Sequence, residues 1–434
     1  MNDYQRYAKK FSLMLLVSVL TIIGIAGGGL NTLPASAASS NAYVYYISDN
    51  DLYRVPSNGG SAQLITENFE SAYSLSTNKY LYFMMDENST SLQRLSLTEP
   101  SALITSFGGD KEILNYTIND NYIYFMDTTG SIYRSPADAA DESQIKRIID
   151  NGDANFPSFS IVKGRVYYNA LKSNSTTWVA SKAKDGSGNI LWIASGAVYG
   201  ARHIQENNTT LSLMVNTDPS ETEYSLNCMV LYSLPFNGGA PKAANAKAPL
   251  DTNEVFSGKL TSNYYLYNKG IKLDANGEYN YSTGKGYLID KNGKIFQLSQ
   301  SSVVEISEIS SNKLAYVDAK GKAYVSTVAN GKVTSTKMLP ISNATAVRTL
   351  MYGAAAGSTI FFNKTDAYVL NADLSLTKAA GVVWEYMAYA LNIPGLFYIN
   401  ELDNDSLYRL SNDGKTKLRL SADPVSQIIT ITAI

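Results

Sequence analysis

The 434-residue sequence has one cysteine, Cys228, and one histidine, His203. A single cysteine excludes an intramolecular disulfide, and a single histidine excludes zinc centres built from two or three histidines of one chain. Histidine-centred acid–base chemistry loses most of its usual support for the same reason. Charge is also scarce, at 17% of residues, with Lys+Arg 36 balanced by Asp+Glu 38. No strong positive field exists, so a nucleic-acid binder is excluded. Helical periodicity is missing after residue 38, where β-branched residues and tyrosine dominate. The loops around Pro136–Glu142 and the alanine-rich stretch Ala240–Ala248 are the exceptions. What is present is apolar and aromatic material, 45% hydrophobic residues and 32 tyrosines. That is enough for a large core and excludes a disordered chain.

The N-terminus reads as an address. Arg6, Lys9 and Lys10 precede an apolar run from Phe11 to Ala26, and three glycines and Pro34 lead to Ala35-Ser36-Ala37. A positive segment, an apolar segment and a small-x-small site define a secretory signal, expected to be cleaved after Ala37. The alternative is an uncleaved anchor, since about 20 apolar residues can span a bilayer. The mature chain, 38–434, is expected to form one domain.

That chain is a repeat. Asp51-Leu-Tyr-Arg-Val-Pro-Ser-Asn-Gly-Gly60 recurs as Ser91-Leu-Gln-Arg-Leu-Ser-Leu97, Ser131-Ile-Tyr-Arg-Ser-Pro-Ala137 and Ser406-Leu-Tyr-Arg-Leu-Ser-Asn-Asp-Gly414. Weaker copies start at Trp178, Val230, Lys285, Lys322 and Asp366, so copies recur at intervals of 37 to 55 residues. Before them lie aromatic strands such as Tyr43-Val-Tyr-Tyr-Ile47, Tyr80-Leu-Tyr-Phe-Met84 and Tyr122-Ile-Tyr-Phe-Met126. An Asn or Gly turn and another alternating segment come earlier still. A short fourth segment closes most units, as at Ala62–Thr66, Ala102–Thr105 and Ile145–Ile149. Four strands joined by tight turns make an antiparallel meander, and the interval matches a β-propeller blade. We count nine units, or eight if Glu278-Tyr-Asn-Tyr281 belongs to a hairpin inserted in a neighbour.

The first unit begins at its aromatic strand, and the last twelve residues, Asp423–Ile434, supply a single strand. The expected fold is an all-β propeller of four-stranded antiparallel blades, its ring closed by that C-terminal strand pairing into the first blade. Such pairing removes two free sheet edges that would invite aggregation. The Leu-Tyr-Arg-x-Pro-x-Asn-Gly-Gly unit after a Tyr-x-Tyr-Phe strand resembles a secreted bacterial domain-of-unknown-function family. The propeller of that family is similar to that of low-density-lipoprotein-receptor-related proteins. The resemblance covers residues 43–434 and implies a fold and an extracellular setting; Tyr124-Phe-Met-Asp127 stands where those receptors carry Tyr-Trp-Thr-Asp.

Tyrosine faces stack on sugar rings, yet pairs such as Tyr80/Tyr82 and Tyr122/Tyr124 sit at fixed points of the repeat, which assigns them to packing. The ligand-binding candidates are the aromatics outside the pattern: Trp178, Trp192, Trp384, Tyr386 and Tyr389. Ser76-Thr-Asn-Lys79 and Ser310-Ser-Asn-Lys313 match a Ser-x-x-Lys motif but fall at one turn of the repeat with no helix following. Asp49/Asp51, Asp218/Glu221/Glu223 and Asp403/Asp405 read as solvated turn acids. Asp274-Ala-Asn-Gly-Glu-Tyr-Asn280 opens like a calcium loop, but Lys285 stands where a bidentate glutamate is required. His203 reads as a structural histidine and Cys228 as an inert thiol on an apolar strand. No catalytic residue, metal site or cofactor is assigned.

The expected function is a secreted or cell-surface, non-enzymatic propeller, monomeric, either free outside the cell or associated with the wall. Its loop faces would bind a protein or a cell-envelope carbohydrate, with no nucleic acid and no membrane once the signal is removed. The alternative is an extracellular polysaccharide hydrolase or lyase using carboxylates of the central channel.

Overall fold

The computed structural model describes residues 42–433 apart from 70, 72, 86–88, 100–102, 140, 173–175, 196, 199–203, 207–209, 217–228, 236–241, 244–253, 261–263, 278, 291–293, 351–357, 383–386 and 391–392. The expected signal (1–37), Trp384, Tyr386, His203, Cys228 and the acids 218, 221 and 223 lie outside the described residues.

The fold is an all-β propeller of four-stranded antiparallel blades. Eight sheets have four strands; in chain order of their aromatic strand they cover 42–66 with 427–433, 73–107, 113–149, 159–195, 254–299, 303–338, 346–380 and 387–421. A ninth sheet, 197–243, has five, because its first strand is broken into Ala197–Val198 and Ile204–Glu206, both paired with Thr210–Asn216. Lys272–Leu273 and Tyr279–Asn280 form a separate hairpin between the second and third strands of the 254–299 sheet. The segment 279–281 therefore belongs to an insertion, and among the described residues nine units remain beside it. The described residues hold no α-helix. Among the described residues, short 3-10 turns occur at Glu142–Gln144, Tyr281–Thr283 and Glu401–Asp403.

Each blade follows from the repeat. Turns between strands use the left-handed backbone that type I′ hairpins require, with positive φ at Asp49-Asn50, Asp120-Asn121, Lys163-Gly164 and Asn330-Gly331. The Leu of each Leu-Tyr-Arg copy is core: Leu52, Leu92, Ile132 and Leu407 are fully buried. Its Tyr faces an aromatic across the strand pair, with stacked rings in Tyr46–Tyr53, Phe125–Tyr133, Tyr316–Tyr324 and Tyr398–Tyr408. Its Arg lies over the ring that begins the aromatic strand, as Arg54 on Tyr43, Arg94 on Tyr80 and Arg134 on Tyr122. The tyrosine pattern is a packing code, as expected from its spacing.

A β-bulge recurs between third and fourth strands. Leu52 opposes Thr66 while Tyr53 opposes Leu64, which leaves Ile65 as the extra residue. The same two-for-one step isolates Ile148, Ile193, Leu298 and Leu420. All five are buried. The bulge turns one more aliphatic side chain inward where strict alternation would send it out. One strand differs from expectation: the fourth strand of the second blade runs Thr105–Phe107, not 102–105. Phe107, the last residue of that strand, is buried, whereas Leu103 before it is 85% exposed.

The described residues divide into two compact units, one of Phe83–Gln93 and 106–243, the other of 42–82, Arg94–Thr105 and 254–433. In the first, Tyr124, Met126, Ile132, Ile148, Phe159, Val166 and Tyr168 form one core across two successive blades. In the second, Gln427–Ala433 supplies the missing strand of the first blade, with Val44 opposite Ile431 and Tyr46 opposite Ile428. Phe397, Leu407, Val44 and Tyr46 then share a core.

Candidate functional site

Trp178 and Trp192 are brought together by the blade 159–195. Trp178 lies on the third strand, Thr177–Ala183, and Trp192 on the fourth, Leu191–Ser195. Strict pairing would set Ile193 opposite Ala180. The bulge at Ile193 sets Trp192 there instead, on the face that Ala180 shares with Trp178. The two indoles meet edge to face, with centroids 6.2 Å apart and planes at 83°. Trp192 also rests on the core beside Ile190, so one ring is anchored while both keep part of their surface in solvent.

A cation completes the cluster. Lys172 follows the second strand, and its Nζ stands 4.0 Å from the Trp178 ring centroid and 5.2 Å from that of Trp192. The ammonium is attracted to the electron-rich faces. The Trp178 indole N–H donates to Thr176 Oγ1 at 3.2 Å, which fixes the ring in its plane. The result is a shelf of two part-exposed indoles with one positive charge, at the end of the blade where the second strand turns into the third. Sequence reasoning named both tryptophans and missed Lys172. Its signal was available, because a lysine in the hairpin connection directly before Trp178 falls within reach of that ring.

The other candidates separate. Tyr389 is in the strand Met387–Ala390, which belongs to the second compact unit. Ser310 Oγ donates to Asn312 Oδ1 at 3.0 Å in an exposed turn, and Thr77 Oγ1 accepts from Lys79 N and Tyr80 N. Both Ser-x-x-Lys segments thus join strands, with no helix following. Asp274 Oδ1 accepts from Asn276 N, and Asp403 Oδ2 accepts from the Tyr408 hydroxyl. Among the described residues no three His, Cys, Asp or Glu side chains gather as a metal-holding group. Glu305, on a first strand, is paired with Arg348 at 2.7 Å. The carboxyls of Asp141, Asp185, Asp373 and Asp413 are held below their ordinary range by serine hydroxyl or backbone N–H donors in their own turns.

The class defined by this architecture is the β-propeller. No family model and no curated protein matches the sequence. Similar solved structures include AztD from Citrobacter koseri, 11% identical over 91% of this chain and 98% of that one, with a TM-score of 0.38. BamB from Moraxella catarrhalis is 10% identical over 78% and 81%, with a TM-score of 0.35. Virginiamycin B lyase from Staphylococcus aureus is 10% identical over 84% and 94%, with a TM-score of 0.32.

Proposed function

We propose that this protein is a secreted propeller that acts as a binding module and holds a cell-envelope glycan on the shelf of Trp178 and Trp192. The observation that carries the reading is the pair itself: two large rings outside the packing code, set on one face by a bulge and left partly in solvent. Buried aromatic pairs need no such exposure. An indole offers a flat apolar face to the C–H side of a sugar ring, and Lys172 supplies a donor for its hydroxyl groups. Secretion rests on the signal pattern that ends at Ala37.

A glycan array followed by calorimetry on the full chain tests this reading. A captured glycan whose affinity falls tenfold or more in Trp178→Ala and in Trp192→Ala supports it. Capture of no glycan, or capture indifferent to both substitutions, removes it.

A further inference from the structure

We propose that the second compact unit carries a separate site for an anionic sugar, in a cleft built by the inserted hairpin. This inference stands apart from the tryptophan shelf and does not rest on it. The cleft has a volume of about 910 Å³, at the upper end of the range for small-ligand pockets. One wall is the hairpin end, Asn280 to Ser282; the opposite side is the turn 319–321 of the following blade, with Asn343–Thr345 and Lys364 beyond it. In the first blade, by contrast, the second and third strands are joined by the short turn Asp49-Asn50. The wall is therefore a product of the insertion, and the repeat alone would leave this end of the blade open.

The floor is made of small residues. Ala344 N donates to Gly321 O at 2.8 Å, and Gly321, at φ +70°, is so close that a Cβ would stand 3.1 Å from Asn343 Cα. Ala319, Gly321 and Ala344 leave a surface on which a flat ring can rest. Tyr281, 38% exposed, borders it and offers an aromatic edge or face.

Charge selects the ligand. Asp318 lines the cleft, but its Oδ1 accepts from Lys320 N and Lys322 N at 2.9 Å, and its Oδ2 accepts from the Tyr324 hydroxyl at 3.2 Å. Asp274 likewise accepts from the backbone of its own turn. The ammonium groups of Lys320 and Lys364 are exposed, and neither has an ion pair or side-chain hydrogen bond among the described residues. The buried Asp318 carboxylate is thus turned into its own loop, whereas the ammonium groups of Lys320 and Lys364 stand in solvent beside an aromatic ring and a flat floor. Hydroxyl-rich, ring-shaped and negatively charged describes a sugar bearing a carboxylate or a phosphodiester.

Calorimetric titration of the full chain decides the matter, with an oligogalacturonate, a phosphodiester-linked hexose oligomer and a neutral oligosaccharide of equal length as probes. We expect one or both anionic probes to bind, more weakly as salt rises, and the neutral one to bind at least tenfold more weakly. Which anion binds identifies the acid. Lys320→Gln with Lys364→Gln should reduce affinity tenfold or more, and Tyr281→Ala about fivefold; all three residues are surface-exposed, and a melting curve confirms an intact fold. Trp178→Ala should leave this binding unchanged, which separates the two sites. Absence of binding by both anions, equal binding of the neutral probe, or an unaffected lysine double variant overturns the proposal.

Discussion

Arg409 Nη1 donates to the backbone carbonyl of Ser57 at 3.0 Å, and Arg54 Nη1 makes the same bond to Leu97 at 2.8 Å. Each carbonyl lies three residues beyond the arginine position of its own repeat copy, Arg54 in one case and Arg94 in the other. The final blade therefore meets the first as the first meets the second. In these two copies the Leu-Tyr-Arg signature supplies core, ring stack, and a bond to the neighbouring blade. Arg409 is partly desolvated, and burial pulls its pKa down, yet a guanidinium keeps its charge, so the bond it donates is charge-assisted.

Replacing Arg409 with Met keeps the stem over Phe397 and removes the donor. The Ser57 carbonyl then loses a charge-assisted partner, a loss of about 1.5–3 kcal/mol for a bond to a charged group. Urea unfolding of Arg409→Met should show that loss, with Arg54→Met showing a similar one. An effect at Arg54 alone would mean that the two junctions are not equivalent.

Removal of residues 427–434 exposes the whole edge of Ala42–Ser48, including the backbone groups of Val44 and Tyr46 that now pair with Ile431 and Ile428. An apolar, unpaired edge recruits other chains. Light scattering should report association of the shortened chain at concentrations where the full chain shows none. A shortened chain with the scattering and unfolding midpoint of the full one would show that this strand adds little.

The blades were legible because their signals are local and repeated. Leu52, Tyr53 and Arg54 sit within three residues, and each copy restates the pattern. The C-terminal strand was legible by arithmetic, since the first blade lacked what Gln427–Ala433 supplied. The bulge was not, because Ile65 and Ile148 look like ordinary strand residues until the register shows two facing one. The Trp178–Trp192 meeting depended on that hidden bulge at Ile193. The cleft was only half legible: Lys320 and Lys364 each stand two residues before a repeat copy, at Lys322 and Asp366, which puts their turns at one end of the fold, but the inserted hairpin that brings Tyr281 there follows no repeat position.

Asp366 gives a pH test. Its burial raises the carboxyl pKa, but the Lys378 ammonium at 3.0 Å and the Thr365 hydroxyl at 2.9 Å outweigh burial, so the net shift is downward. A depressed folded value means the unfolded chain binds the proton more readily. The stabilisation is complete above the unfolded pKa, near 3.9, and is lost as pH falls through the folded value. Because Lys378 is largely exposed, the effect should be under about 1 kcal/mol. Stability of the wild type and Asp366→Asn should differ at neutral pH and converge in acid. A gap that persists in acid would show that the carboxylate charge is not its source.

The tyrosines set the alkaline limit. Burial pushes Tyr124 up to about 12, and burial together with the Asp318 carboxylate pushes Tyr324 to about 12 as well. Tyr45, Tyr46, Tyr167 and Tyr316 are also raised, burial being the leading cause in each. A raised folded value means that the unfolded chain gives up the proton first. Their contribution is whole below about pH 10, the unfolded value, and drains away as pH rises through the folded ones. The stacked pairs tie these losses together: ionising Tyr324 puts a charge beside Tyr316, whose ring centroid is 5.0 Å away. Phenolate absorbance should therefore rise in two stages, a gradual one from the exposed tyrosines and a steep one coincident with loss of β-sheet circular dichroism. Gradual titration of every tyrosine with the sheet signal intact would mean that the repeat's aromatic code leaves its hydroxyls open to water, against the burial on which the packing rests.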